Sequence, residues 1–146
     1  MLPYVGLLSR PLLLILSIDQ GTTGTTALLI SERAEVVGRG YAEVHQHYPR
    51  EGWVEHDPRQ IWRSVEDSVA EALAAASSED VTAIGVTNQR ETVIAWDSIT
   101  NDPLAPAIVW QDARTSDRMR GLQVDPHAEV LRSITGLVPS PYFSAS

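Results

Sequence analysis

The residues best suited to chemistry stand in Asp19-Gln20-Gly21-Thr22-Thr23-Gly24-Thr25, directly after an apolar run. Two glycines and three hydroxyls within these residues offer backbone N–H groups and Thr oxygens to the phosphate oxygens of a ligand. The Asp19 carboxylate could hold Mg²⁺ through water, because Mg²⁺ takes few carboxylates, retained waters and phosphate oxygens. Gly and Thr are also ordinary hairpin residues and Asp an ordinary turn starter, so this stretch alone supports either reading. A second polar run, Asn88-Gln89-Arg90-Glu91-Thr92, follows a β-branched segment, at a strand end where α/β folds place their ligands. The planar donor fork of Arg90 beside the two acceptor oxygens of Glu91 would satisfy the adjacent hydroxyls of a polyol. Taken by itself, the run is more simply an exposed loop with surface ion pairs worth little. Trp110 ends a short apolar segment and could wall a pocket against a carbon chain, although core packing is the commoner role. Trp62, beside an apolar helix stripe, is expected in the core. His45 and His47 share a strand face with His56 nearby, but no Cys or well-spaced carboxylate completes a metal site, so they read as surface or packing residues.

Composition removes several alternatives. Lys+Arg is 11 and Asp+Glu 19, a net charge of 11 − 19 = −8, and every basic residue is Arg. Without Lys there is no P-loop lysine and no Schiff base. Without Cys there is no disulfide framework, thiol nucleophile or Cys-based zinc site. The acidic balance argues against a nucleic-acid surface, which needs clustered Lys/Arg. A hydrophobic share of 43% and 146 residues suit a single domain with one core.

The first eighteen residues are largely apolar, yet Arg10-Pro11 interrupts them, no basic segment precedes them and no small-residue cleavage pattern follows. The uninterrupted run at 12–16 is too short for a bilayer span. Residues 1–11 therefore read as an N-terminal extension, 12–18 as a strand buried on both faces, and the protein as cytoplasmic with no membrane partner.

The elements that must position the polar runs follow from periodicity. Residues 12–18 and 25–30, joined by the short Gly-containing loop, predict a hairpin. Residues 36–44 extend it to a three-stranded antiparallel meander. Asp57-Pro58 is an N-cap followed by Pro at the first helical position. Ile61, Val65, Val69 and Leu73, with Ala72 and Trp62 beside them, then predict an amphipathic helix that fades at 74–78. Residues 81–86, 92–96 and 107–110 read as strands, Asn101-Asp102-Pro103 as a turn, and 114–122 and 126–134 as helices. The whole is an α/β layer structure with a mixed sheet and flanking helices. The last residues, 140–146, lack a capping pattern and read as a break within a longer domain.

Six stretches then line up in order. They are Asp19-Gln20-Gly21-Thr22-Thr23, Gly52-Trp53-Val54-Glu55-His56-Asp57-Pro58, Thr87-Asn88-Gln89-Arg90-Glu91-Thr92, Ala107-Ile108-Val109-Trp110-Gln111, Thr135-Gly136-Leu137 and Pro141-Tyr142-Phe143-Ser144. Together they resemble the FGGY carbohydrate kinases, and within that family the glycerol kinases rather than the xylulose or gluconate enzymes. The resemblance implies the N-terminal domain of an actin-like (ribonuclease H-like) ATPase fold, here residues 12–146 and truncated, with the C-terminal domain absent. It implies ATP and Mg²⁺ as cofactors and glycerol or a similar polyol as substrate, with a homo-oligomer compatible with the complete protein. By resemblance Asp19 positions Mg²⁺ and the transferring phosphoryl group, Gly21, Thr22 and Thr23 border the nucleotide phosphates, Arg90, Glu91 and Tyr142 bond the glycerol hydroxyls, and Trp110 packs on the carbon chain.

Two departures qualify what the resemblance implies. Where the family usually carries an Arg close to the transferring phosphate, this sequence has Thr26. The family's proton-accepting Asp lies further along than Ser146. This fragment is therefore expected to be inactive alone. The alternative from another class is a non-catalytic remnant, or a polyol-binding or interaction module, of actin-like fold.

Overall fold

The computed structural model describes residues 13–76 and 80–146. The extension expected at 1–11 and the end of the helix fade at 77–78 lie outside the described residues. Among the described residues nine elements follow in order: β1 (Leu14–Gln20), β2 (Gly24–Ser31), β3 (Val36–Glu43), β4 (Glu55–His56), α1 (Pro58–Leu73), β5 (Val81–Asn88), β6 (Ala107–Ile108), α2 (Ser116–Gln123) and α3 (Ala128–Thr135). The main sheet has the order β3-β2-β1-β5. Its first three strands form the expected antiparallel meander, and β5 joins β1 in parallel. A crossover through α1 makes that parallel pairing reachable. β4 and β6 pair separately as a short antiparallel ribbon.

Leu14, Leu16, Ile18, Ala27, Leu29 and Ala72 form the core, with Val65, Val69 and Leu73 packed against it. β1 is buried on one face only. Leu13 and Ile15 remain 37% and 47% exposed, which corrects the expected two-sided burial. An all-apolar run conceals its period of two, and only the placement of α1 on one side reveals it.

Asp57 caps α1 as expected, accepting from the Arg59 N–H at 2.9 Å, with Pro58 following it. The helix seats itself through small residues. Ser64, Ser68 and Ala72 are the buried ones, each one position before Val65, Val69 and Leu73. Opposite them stand Gly38 and Gly40 of β3, where an added Cβ would lie 2.2 Å from the Ala72 carbonyl oxygen and 2.0 Å from that of Ser68. Backbone thus packs on backbone, and the larger apolar residues flank the contact. Trp62, expected in the core, is 63% exposed because it lies at the margin of this seat. It lines a groove of about 820 Å³ with Ile61, Ile94, Trp96 and Pro103.

The strand expected at 92–96 does not form. β5 ends at Asn88, Glu91 takes a left-handed φ of 59°, and the chain leaves the sheet. What remains are single bridges, Val93 with Ile108 and Trp96 with Pro103. The turn expected at 101–103 begins earlier, where Asp97 Oδ1 accepts from the Ile99 and Thr100 N–H groups. Both helices predicted after residue 110 are present, shifted by about two residues. Among the described residues no helix is long and apolar enough to cross a membrane.

Candidate functional site

The ends of β1 and β5 lie side by side, with Asp19 opposite Thr87 and Gln20 opposite Asn88. Both strands therefore deliver their polar C-terminal residues to the same edge of the sheet. The loop after β1 turns tightly, Gly21 N–H donating to the Gly24 carbonyl at 2.9 Å. The segment after β6 brings Trp110 across from below. A cleft of about 340 Å³ results, lined by Asp19, Gly21, Thr22, Asn88, Gln89, Arg90, Trp110 and Tyr142.

The two walls are joined directly. Trp110 Nε1 donates to Thr22 Oγ1 at 2.9 Å, so the indole wall is registered against the glycine-threonine loop. Tyr142 packs edge-on to Trp110 with ring centroids 5.9 Å apart, and Phe143 packs edge-on to Tyr142 at 5.1 Å. Of the eight residues singled out from sequence, Asp19, Gly21, Thr22, Arg90, Trp110 and Tyr142 share this cleft. Thr23 and Glu91 are not among its lining residues. The Thr23 carbonyl accepts from the Val44 N–H and the Tyr41 hydroxyl, tying the loop to β3. Glu91 Oε2 accepts from the Ser144 N–H and hydroxyl, both at 2.8 Å. Those donors hold the Glu91 carboxyl below the usual carboxylate range, and they anchor the segment that carries Tyr142.

The cleft offers one carboxylate, one guanidinium, a hydroxyl, an aromatic wall and a phenol. A single carboxylate with room for water suits Mg²⁺ bound mainly by phosphate, and no cluster of three metal-ligating side chains occurs among the described residues. Arg90 supplies fixed donors to hydroxyl or phosphate oxygens. Thr26 stands directly opposite Asp19 in the β1–β2 ladder, on the same face of the sheet.

Two supporting clusters escaped sequence reasoning. From the cleft lining, Gln89 Nε2 donates to Gln20 Oε1 at 3.2 Å and meets His56 Nδ1 at 3.4 Å, while Thr92 Oγ1 donates to Gln89 Oε1 at 2.9 Å. Below Trp110, Arg114 pairs with Glu55 at 2.7 Å and Asp112 at 2.8 Å and stacks 3.7 Å from the Trp53 ring centroid. Burial pushes the Asp112 carboxyl up, but donation from Arg114 and Val54 outweighs it and holds the pKa below the ordinary value. The sequence signal for both was a Glu-His pair in a two-residue strand, which no periodicity rule picks out.

His56 is fully buried, and its Nε2 has no partner among the described residues. Burial first, then the charge of His47, lowers its pKa from the ordinary 6.5. The unfolded chain then binds this proton more readily than the folded one. The stability His56 permits is fully present above 6.5 and is lost as pH falls through the lowered value. The urea midpoint is expected to drop from pH ~8 to ~5 more steeply in the wild type than in His56→Asn. Equal slopes in the two proteins would refute the assignment.

A profile of the N-terminal domain of the FGGY family of carbohydrate kinases matches residues 14–146. The chain belongs to this family. This FGGY chain is 48% identical over 134 residues to a glycerol kinase of Lachnoclostridium phytofermentans, covering 90% of itself and 27% of that protein. It is 45% identical over 132 residues to a glycerol kinase of Halobacterium salinarum, covering 89% of itself and 26% of that protein. Its fold superposes on the crystal structure of Plasmodium falciparum glycerol kinase with ADP at a TM-score of 0.81 and 35% identity, over 90% of this chain and 27% of that one. The FGGY chain thus has the actin-like ATPase architecture of sugar kinases, with a mixed sheet and, among the described residues, three helices. It spans about a quarter of the length of the relatives it matches.

Proposed function

We propose that residues 12–146 form the N-terminal polyol- and phosphate-binding part of a glycerol kinase. The complete reaction is ATP + glycerol → sn-glycerol 3-phosphate + ADP, and the setting is the cytoplasm. The observation that carries this reading is the convergence of Asp19, Gly21, Thr22, Arg90, Trp110 and Tyr142 on one cleft. Arg90 and Tyr142 bond the glycerol hydroxyls, with Glu91 turning from Ser144 to share them, and Trp110 covers the carbon chain. Gly21, Thr22 and Thr23 border the nucleotide phosphates, and Asp19 orients Mg²⁺ through water. Mg²⁺ supplies charge neutralisation between phosphates when bound. Phosphoryl transfer asks the protein chiefly for such positioning and charge stabilisation.

Calorimetry with glycerol tests the reading. The chain is expected to give a weak binding heat that Arg90→Ala abolishes, and D-xylulose is expected to compete poorly. Purified chain is expected to release no ADP from ATP and glycerol, because the family's proton-accepting Asp is supplied by a later segment. Absence of heat with both proteins would favour a second reading, an interaction module. The observation behind that alternative is the bare sheet edge at β5, where Ile84 and Val86 are 64% and 70% exposed beyond the reach of α1.

A further inference from the structure

Three cleft-bearing segments meet at one partly buried polar junction. Gln20 lies between Asp19 and Gly21, and Gln89 lies between Asn88 and Arg90. Their backbones are joined, Gln89 N–H donating to the Gln20 carbonyl at 2.7 Å. Each amide is oriented by a partner that can only accept, the Gly21 carbonyl for Gln20 and Gln20 Oε1 for Gln89. Gln20 Nε2 donates to the Gly21 carbonyl at 2.7 Å, which turns Gln20 Oε1 toward Gln89. Gln20 Oε1 can only accept, which turns Gln89 Nε2 toward it and toward His56 and leaves Gln89 Oε1 to accept from Thr92. His56 Nδ1 must then accept, so the proton sits on Nε2. His56 belongs to β4, paired opposite Ala107 of β6, the strand that leads to Trp110.

His56 holds this place at a cost. Its Nε2–H is a buried donor with no partner among the described residues, and such a group destabilises a fold that an apolar side chain of similar size would not. Its contribution is therefore direction rather than stability. We infer that His56 is a positioning residue: acting through Gln89 and Gln20, it sets how Asp19 and Arg90 leave the ends of β1 and β5. The consequence for glycerol rests on the polyol-kinase reading, whereas the orientation itself is measurable without any ligand.

The test compares His56→Leu, which removes the acceptor, with His56→Asn, whose amide oxygen can take the place of Nδ1. Amide hydrogen exchange of the wild type and both variants is followed by NMR. In His56→Leu, exchange at Gln89, whose N–H donates to the Gln20 carbonyl at 2.7 Å, is expected to quicken by about tenfold or more, while the core amides of Leu16 and Leu29 keep their rates. His56→Asn restores the slow exchange. Glycerol affinity is expected to follow the same order, falling about tenfold in the Leu variant and returning in the Asn variant. The imidazole nitrogen shifts of the wild type are expected to report the Nε2–H tautomer. Should His56→Leu fail to fold, Thr92→Val removes the bond to Gln89 Oε1 and is expected to loosen the same residue. Uniform acceleration across the chain, unchanged exchange at Gln89, or an Nδ1–H tautomer would each overturn the inference. If the wild type binds no glycerol, the exchange pattern and the tautomer decide it alone, so the two failures remain distinguishable.

Discussion

Thr26→Arg is expected to accelerate glycerol-dependent ADP release by about two to three orders of magnitude when this chain replaces the matching segment of the Lachnoclostridium phytofermentans relative. Thr26 is the cross-strand partner of Asp19, and directly opposed residues hold their Cβ atoms about 5 Å apart on one face of a sheet. A guanidinium there would stand beside the carboxylate proposed to orient Mg²⁺, at the edge of the cleft that Gly21 and Thr22 line. Charge on the phosphoryl oxygens changes between ground and transition state, so a preorganised cation acts mainly on kcat. The Thr hydroxyl is a neutral donor and supplies only part of that stabilisation. Glycerol KM is expected to change little, because Arg90, Trp110 and Tyr142 lie across the cleft. Equal kcat in the two chimeras would remove position 26 from the phosphate site. A rise in KM alone would assign it to ground-state binding instead.

Gly40→Ala is expected to destabilise the chain by about 3 kcal/mol or more, the upper range for forcing extra volume into a packed contact. The new Cβ would lie 2.0 Å from the Ser68 carbonyl oxygen and 2.9 Å from Glu71 Cβ. The first contact is backbone, so no rotamer change relieves it. α1 would have to lift from β3, breaking the bond from the Tyr41 N–H to Glu71 Oε2 and opening the core around Ala72. Gly85→Ala is the control, since nothing lies within 4 Å of its added Cβ. Urea denaturation of the two variants measures the difference. Similar midpoints would mean that α1 is not seated as closely as described.

The sequence was most informative where a signal is complete within a few residues. Asp57-Pro58 contains the cap, the missing N–H and the preset φ that start α1, so the helix start could be placed correctly. The meander was legible because a short Gly-containing loop between two β-prone runs has few other outcomes. The Asp19 and Arg90 stretches were recognisable as strand-end clusters for the same reason. Trp62 and the 92–96 segment were misjudged because their placement depends on distant partners. A helix stripe predicts which side is apolar, but Gly38 and Gly40 decide which residues touch the sheet. Extended propensity at 92–96 could not anticipate the left-handed turn at Glu91, which takes the chain out of the ladder.

Residue order alone therefore determined the three-stranded meander, α1, the two later helices, the absence of lysine and cysteine chemistry, and the family to which the motifs belong. Tertiary structure decided which of those residues share a cleft. Thr22 and Trp110 are 88 positions apart yet joined by one hydrogen bond, and Gln20, His56 and Gln89 come from three separate strands or strand ends. Local propensities act over a few residues and carry no information about such encounters. The parallel pairing of β1 with β5, made possible by an intervening helix seated on glycine, is the physical event that brings them about.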